Sequence, residues 1–496
     1  MRKRTLGMIG GLVLIVALGG ATAALLLTDT TDEDSSSDAT EESSTAEIVL
    51  TEQETSCVTS IDVTNATGSY EVVRVTEGDD ETNATFAIAG WEDLSYTTTL
   101  YTLPNNTSSM SASEIVVENS TELEKFGLDD ETAAHVTLHF EDGTDFSFRI
   151  GNEASDGSNT YFATEDEDTV YLVSTSYLSN FQNAAIDFVS TTILEEPESE
   201  DDYPIVNYLT IARGDWDYVF ELDYDETADD EDYTGGTVAT HVMTSPVPAY
   251  LSPDRSTDYV TGMFGLSADS VAVPLPTEED LEEYGLAEPY GTVTMDCDDG
   301  NTYVLHFSEA VVETDADSGA DVSFYYAYLE GVDVIYKVAG EDMIWATVEP
   351  TDVASKLVLA TYVWDIGTLN VSIDGGDTFE FSAEGTDDED TVVTLNGETT
   401  DTERYRQFYA FLLNTTAETI DFTSEPEGDP LAEIYVETQD GSFHRELVFY
   451  ALDDYTCLIT VDGQAAYTCR RSYLTTLQNN MDLYENTEED FSSNWS

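Results

Sequence analysis

What most constrains this chain is that it repeats itself. Four landmarks recur in the same order three times. The first is a short turn into a strand: Ser111-Ala112-Ser113-Glu114-Ile115-Val116, Ser267-Ala268-Asp269-Ser270-Val271 and Thr416-Ala417-Glu418-Thr419-Ile420. The second is an acidic helix closing on glycine, Glu122-Leu123-Glu124-Lys125-Phe126-Gly127-Leu128 and Asp280-Leu281-Glu282-Glu283-Tyr284-Gly285-Leu286. The third copy keeps only Gly428-Asp429-Pro430-Leu431. The third landmark is a hairpin turned by Asp142-Gly143, Asp299-Gly300 or Asp440-Gly441, with alternating strands on either side. The fourth is a strand running into a helix: Val170-Tyr171-Leu172-Val173 before Tyr177, Ile335-Tyr336-Lys337-Val338 before Met343, and Ala466-Tyr467-Thr468-Cys469 before Tyr473.

Each copy opens on a strand pair, at Val58–Val63, Tyr208–Ala212 and Leu369–Ile373. Helical apolar spacing from Arg404 to Leu413 places a helix before the first landmark, most clearly in the third copy. The unit therefore reads strand pair, helix, strand, short helix, hairpin, further strand, helix. Strands that arrive as hairpins pair antiparallel, so the expected fold class is α+β: three repeated, mostly antiparallel sheet-plus-helix modules behind an N-terminal transmembrane helix. The layout is a basic tip and anchor at 1–27, an acidic flexible linker at 28–46, and modules at 47–195, 203–360 and 361–490. The third module is the degenerate one.

Leu6 to Leu27 carries no charge, and its only polar side chain is Thr22. As a helix it would rise about 33 Å, enough for a hydrocarbon core of about 30 Å. Arg2, Lys3 and Arg4 precede it and no acid occurs before Asp29, which orients the bulk of the chain outside the cytoplasm. A cleaved signal peptide competes, with Ala21-Thr22-Ala23 at the cleavage position. Leu25-Leu26-Leu27 prolongs the apolar run past it and favours a single-pass anchor in the cell membrane. Thr28 to Ala46 is almost all Asp, Glu, Ser and Thr, and has nothing to bury.

Charge narrows the partners. The chain has 103 acidic and 15 basic residues, a formal charge of −88. A polyanion repels nucleic acid and anionic headgroups, so nucleic acid is excluded. Such acidity ordinarily means a hydrated, salt-tolerant surface.

The four cysteines are Cys57, Cys297, Cys457 and Cys469. The last two lie symmetrically about Gly463, in an Asp462-Gly463 hairpin, so they face each other and can form a disulfide in an oxidising compartment. Two reduced thiols on one sheet face are the alternative. No Cys-x-x-Cys is present for zinc or redox work.

This combination resembles the family known as domain of unknown function 4340. The resemblance rests on the basic-then-apolar anchor, on Phe86-Ala87-Ile88-Ala89-Gly90-Trp91, and on Phe126-Gly127-Leu128 and Tyr284-Gly285-Leu286. The Asp-Gly hairpin and Val170–Val173 complete it. It covers residues 47 to 360 in two copies. It implies a membrane-anchored extracytoplasmic protein, an accessory subunit beside ABC-type transport components of the gliding-motility kind. It brings no catalytic residues.

A search for chemistry yields little. His135 and His139 share one strand face, where two imidazoles can ligate a metal or simply sit half-solvated. Asp315, Asp317 and Asp321 around Gly319 resemble a short calcium loop, but the twelfth position, where a bidentate Glu belongs, is Tyr326. A plain hairpin connection is the competing reading, and calcium is the only cofactor the sequence suggests. Phe324-Tyr325-Tyr326-Ala327-Tyr328 can line a sugar surface or pack cross-strand. No nucleophile elbow, phosphate loop, dinucleotide fingerprint or metalloprotease helix occurs. The expectation is a non-enzymatic scaffold, with ABC transporter subunits as the partner class. The alternative is a cell-surface binding or adhesion protein for wall glycans or divalent cations.

Overall fold

The computed structural model describes residues 48–78, 83–226, 238–315, 319–385, 390–413, 417–486 and 488–492. The apolar run Leu6–Leu27, the acidic linker and Asp317 lie outside the described residues. Among the described residues no helix is long and apolar enough to cross a membrane.

The chain is sheet-rich and α+β-like, with antiparallel pairing throughout the described ladders and seven α-helices among the described residues. The first part contains β1 (Ile48–Glu52), β2 (Val58–Asn65), β3 (Gly68–Thr76), β4 (Thr85–Ile88), α1 (Thr98–Thr107), β5 (Ser109–Ala112) and β6 (Glu114–Val117). It continues with β7 (Ala134–Phe140), β8 (Asp145–Glu153), β9 (Asn159–Thr164), β10 (Val170–Ser174) and α2 (Thr175–Leu178). Its main sheet runs β4-β3-β2-β7-β8-β9-β10-β6, and β1 pairs β5 apart from it.

The second part has β11 (Val206–Arg213), β12 (Val219–Tyr224), β13 (His241–Ser245), β14 (Ala249–Tyr250), α3 (Pro253–Thr261), β15 (Ser270–Pro274) and α4 (Glu278–Glu283). There follow β16 (Gly291–Cys297), β17 (Thr302–Phe307), β18 (Val311–Thr314), β19 (Asp321–Leu329), β20 (Val334–Ala339) and α5 (Pro350–Val353). The sheet order is β14-β13-β12-β11-β16-β17-β19-β20-β15, with β18 on β19.

The third part has β21 (Ile366–Ile373), β22 (Thr378–Glu384), β23 (Val392–Leu395), β24 (Glu398–Thr399), α6 (Thr402–Leu413) and β25 (Thr419–Ile420). It closes with β26 (Ala432–Thr438), β27 (His444–Ala451), β28 (Thr456–Val461), β29 (Gln464–Arg470) and α7 (Ser472–Asp482). Its order is β24-β23-β22-β21-β26-β27-β28-β29-β25.

The three sheets share one connection pattern. An opening meander leads to a helix, and a strand that follows the helix, β6, β15 or β25, forms the far edge of the sheet. A four-strand meander then fills the middle, its first strand beside the first of the chain's opening meander: β2 with β7, β11 with β16, β21 with β26. The Asp-Gly dipeptides turn the three central hairpins. Gly143, Gly300 and Gly441 have φ of 80°, 87° and 70°, which only glycine adopts without strain.

One face of each sheet is covered and the other is more open. Burial alternates along β7 and β16, with apolar side chains inward. On α6, Tyr405, Phe408, Tyr409 and Leu412 are buried at helical spacing, and Tyr405 and Phe408 pack on Phe379 and Phe381 of β22. A continuous apolar core joins the second and third sheets.

The acidic segments differ from the sequence reading. Residues Glu278–Glu283 form an α-helix because Thr277 and Asp280 make a reciprocal capping box. The corresponding Leu123–Phe126 is only a 3₁₀ turn, since no side chain caps it at Glu122. The segment around Gly428 holds no helix.

The first landmark turns out to be a joint. The amide of Ala268 donates to Thr191 O, and the amide of Ala417 donates to Lys356 O. In both places the tail of one sheet meets the strand-entry segment of the next. β5, which ends at Ala112, pairs instead with β1 in a two-stranded sheet of its own. The residue after each alanine donates to the last central strand: Ser113 to Leu172, Asp269 to Lys337, Glu418 to Thr468.

Candidate functional site

A set of interacting titratable side chains lies on the open face of the first sheet. On β7 the side chains of His135, Thr137 and His139 point to that face, between inward Val136 and Leu138. Register then decides the neighbours. Asp145 lies opposite His139 across the Asp142-Gly143 turn, and Asp62 lies opposite Thr137. His139 Nδ1 bonds Asp145 Oδ1 at 2.8 Å, and Nε2 bonds Asp62 Oδ2 at 3.0 Å. His135 Nδ1 bonds Glu165 Oε1 at 2.7 Å. Glu165 also faces the guanidinium of Arg149, whose Nε lies 3.6 Å away, and Asp168 lies 3.7 Å from Arg149 Nη2.

The hydrogen bond to Asp62 is the main reason the His139 imidazolium holds its proton above the ordinary range. Asp145 adds to this, and partial burial opposes it. Thr137 and Ser147 share a hydroxyl–hydroxyl bond of 3.0 Å in the same patch. A hydroxyl there cannot pass its proton to His139, because both ring nitrogens are already held by carboxylates. The arrangement holds the His139 ring between two carboxylates. Among the described residues no group of three or more His, Cys, Asp or Glu is set to hold a metal ion.

The aromatic-Gly-Leu segments each cap the corresponding face of their own sheet. Phe126 packs edge-on against Tyr161 at 4.9 Å, and Tyr284 against Tyr326 at 4.6 Å. Gly127 and Gly285 turn with φ of 68° and 71°, and Leu128 and Leu286 are buried behind them. Gly151 on β8 leaves room for the Phe126 carbonyl. Beside the first cap is a shallow cavity of about 470 Å³, whose walls include Glu122, Glu124, Lys125, Asp129 and Asp168. Its lining suits a positively charged group.

The other sequence candidates lie elsewhere in the fold. Asp315 and Asp321 stand on opposite arms of the β18–β19 hairpin, with the Asp321 carboxylate accepting from Thr314 at 2.9 Å. Cys457 and Cys469 are paired across β28 and β29. A regular two-residue turn closed by Val461 and Gln464 would set Cys457 against Thr468. An irregularity between Ile459 and Thr460 shifts the register by one and brings the cysteines together. His241 is buried and bonds Val206 O, while His306 bonds Thr292 and Glu330. In the Tyr-rich strand, Phe324 and Tyr325 are buried and pack within the sheet. Asp62, Asp145 and Glu165 carry no sequence mark among so many acids. Counting residues outward from the Asp142-Gly143 turn would have paired Asp145 with His139.

Each of the twelve basic residues beyond position 27 is engaged inside the protein. Seven face carboxylates: Arg74, Lys125, Arg149, Arg213, Lys337, Arg406 and Arg470. Arg255, Lys356, Arg404, Arg445 and Arg471 donate to backbone carbonyls. Arg213 is the most completely used. It grips Asp215 through two bonds of 3.0 Å, donates to Ala346 O and Val348 O, and reaches Glu349 at 2.8 Å. Its outer face stacks on Trp216. Asn65 makes the matching tie in the first part, to Phe181 O and Asn183 O.

A family model described as domain of unknown function (DUF4340) matches residues 97–201 and 242–429, more than half of the chain. The chain belongs to the DUF4340 family. Two DUF4340 matches agree with two clear copies, but the bounds differ from the sequence reading. The first match opens at Thr97, just before α1, and the second runs past 360 to Asp429 in the third sheet. No curated protein and no solved structure matches the chain.

Proposed function

We propose that this DUF4340 protein is a membrane-anchored, extracytoplasmic accessory or scaffold protein. On this reading it is made of three copies of one α+β module, at 47–195, 203–360 and 361–490, and binds a partner in an envelope complex. ABC-type transporter subunits are the partner class that the family resemblance implies. The observation that carries the reading is the joint between sheets. The same alanine amide-to-carbonyl bond recurs at Ala268 and Ala417, and a continuous core joins the second and third sheets. Joints of that kind make a stiff arm, which suits holding a partner at a set distance from an anchor.

The test is crosslinking in cells through an affinity tag at the C-terminal end, followed by mass spectrometry of the detergent-solubilised complex. Recovery of permease or ATPase subunits establishes the accessory role. Recovery of the protein alone counts against it.

A second reading, a surface protein that binds divalent cations or wall glycans, is favoured by the engaged cations. With every described basic residue held by a carboxylate or a backbone carbonyl, the outward field is dominated by carboxylates. Calorimetry with calcium and retention on wall glycan test it, and no heat and no retention would sink it.

A further inference from the structure

Cys457 and Cys469 occupy directly paired positions on neighbouring strands, in one hairpin of the third sheet. Both side chains are buried, 0 % and 3 % exposed, and the two thiols hydrogen-bond to each other. The register shift described above is what aligns them, so the pairing is built into the hairpin. We propose that Cys457 and Cys469 are joined by a disulfide bridge in the protein on the outer side of the membrane, while Cys57 and Cys297 remain thiols. The proposal rests on the extracytoplasmic location proposed above.

The chemistry is a two-electron oxidation. A thiolate attacks one sulfur of an external disulfide of the thiol–disulfide oxidant class and forms a mixed disulfide. The second cysteine then attacks that bond, expelling the oxidant's other thiol. Two S–H bonds are lost, one S–S bond forms, and the external disulfide leaves as two thiols. The hydrogen bond from Cys469 favours the thiolate of Cys457, and the charge of Arg471 supports it. Cys57 and Cys297 have no such arrangement: one lies in the turn before β2 of the first sheet, and the other ends β16 of the second. Burial also pushes the Cys297 thiol up to about 11, which keeps it protonated and unreactive.

Burial of both sulfurs adds a kinetic consequence. Once β28 and β29 are packed, no external thiol or oxidant reaches either sulfur. The bridge forms before the hairpin closes and then resists reductant until the third part unfolds.

The experiment uses the full chain purified from its own membrane, with thiols trapped by N-ethylmaleimide under denaturing acid quench and then digested. The expected result is one linked peptide pair spanning Cys457 and Cys469, two hydrogens lighter than the dithiol, with Cys57 and Cys297 alkylated. A second sample is reduced, unfolded and refolded with oxidised glutathione. If the refolded sample links but the membrane-derived one carries four alkylated thiols, the proposal falls together with the extracytoplasmic location. If neither sample links, the pairing itself is overturned and the location is untouched. A linkage of Cys57 or Cys297 in place of the expected pair also overturns it.

Discussion

The amide of Ala268 donates to the carbonyl oxygen of Thr191 at 2.8 Å, and this bond fastens the tail of the first sheet to the second. The same bond recurs from Ala417 to Lys356 at 2.9 Å. Replacing either alanine by proline removes the donor and leaves a carbonyl without its partner, at a cost of about 1–3 kcal/mol. The expected outcome for Ala268→Pro is new proteolytic cleavage between residues 189 and 196. For Ala417→Pro it is cleavage between 354 and 361. Limited proteolysis with peptide mapping checks both. Cuts scattered over the whole chain would show global unfolding and refute a local joint.

The aromatic-Gly-Leu cap makes a second prediction, a ranking of glycine variants. Gly143→Ala meets open space at φ 80° and should cost about 1 kcal/mol, the left-handed backbone penalty alone. Gly127→Ala carries that penalty at φ 68° and places its Cβ 2.7 Å from the Asn152 side chain, so it should cost more. Gly151→Ala has no backbone penalty. Its Cβ would lie 2.3 Å from the Phe126 carbonyl, so the cap must lift, at about 1–3 kcal/mol. Urea unfolding gives the order, and hydrogen exchange over residues 120–133 should rise for Gly151→Ala but not for Gly143→Ala.

The hairpins were legible because Asp-Gly turns and alternating side chains are local signals. Asp142-Gly143, Asp299-Gly300 and Asp440-Gly441 each turn a pair of neighbouring strands. The helix Thr402–Leu413 was legible for the same reason, since its buried spacing lies within one segment. The place of the edge strands was not. Glu114–Val117 crosses the sheet to pair with Val170–Ser174, and nothing near residue 114 encodes that distance. The site around His139 was half legible. Its shared face with His135 follows from strand period, whereas Asp62 reaches it through a strand pairing 77 residues away. The signature Phe126-Gly127-Leu128 was recognised as a mark, but its role as a cap needed Tyr161 and Gly151 beside it.

His139 sets a pH dependence. Its proton affinity is raised in the folded state, first by the bond to Asp62 and then by Asp145. A group whose folded pKa exceeds its unfolded value stabilises fully below the unfolded value, about 6.5 for histidine. That contribution fades as pH climbs through the higher folded pKa. The imidazole is a third exposed, so solvent screening holds the effect to about 1 kcal/mol or less. His139→Gln should flatten the stability profile above neutral pH and leave the profile near pH 4 unchanged in shape. Thermal melts from pH 5 to 9 and an NMR titration of the His139 ring check it. A ring that titrates at or below 6.5 would refute the bonding pattern.

The last prediction concerns the charge. The chain carries −88, and every described basic residue is already held by a carboxylate or a carbonyl. Uncompensated carboxylates repel one another over distances that salt shortens to about 10 Å at 0.1 M. Monovalent salt should therefore raise the melting temperature steadily. Calcium could exceed that effect only by binding specific sites. Among the described residues no group of three or more His, Cys, Asp or Glu is set to hold a metal ion, and the hydroxyl of Thr314 donates to the Asp321 carboxylate. Calcium and sodium chloride at matched ionic strength should then give the same melting temperature within about 1–2 °C, and Asp315→Asn should not change that difference. A several-degree excess at millimolar calcium, removed by Asp315→Asn, would establish the hairpin tip as a calcium site. It would also move the weight from the scaffold reading to the cation-binding one.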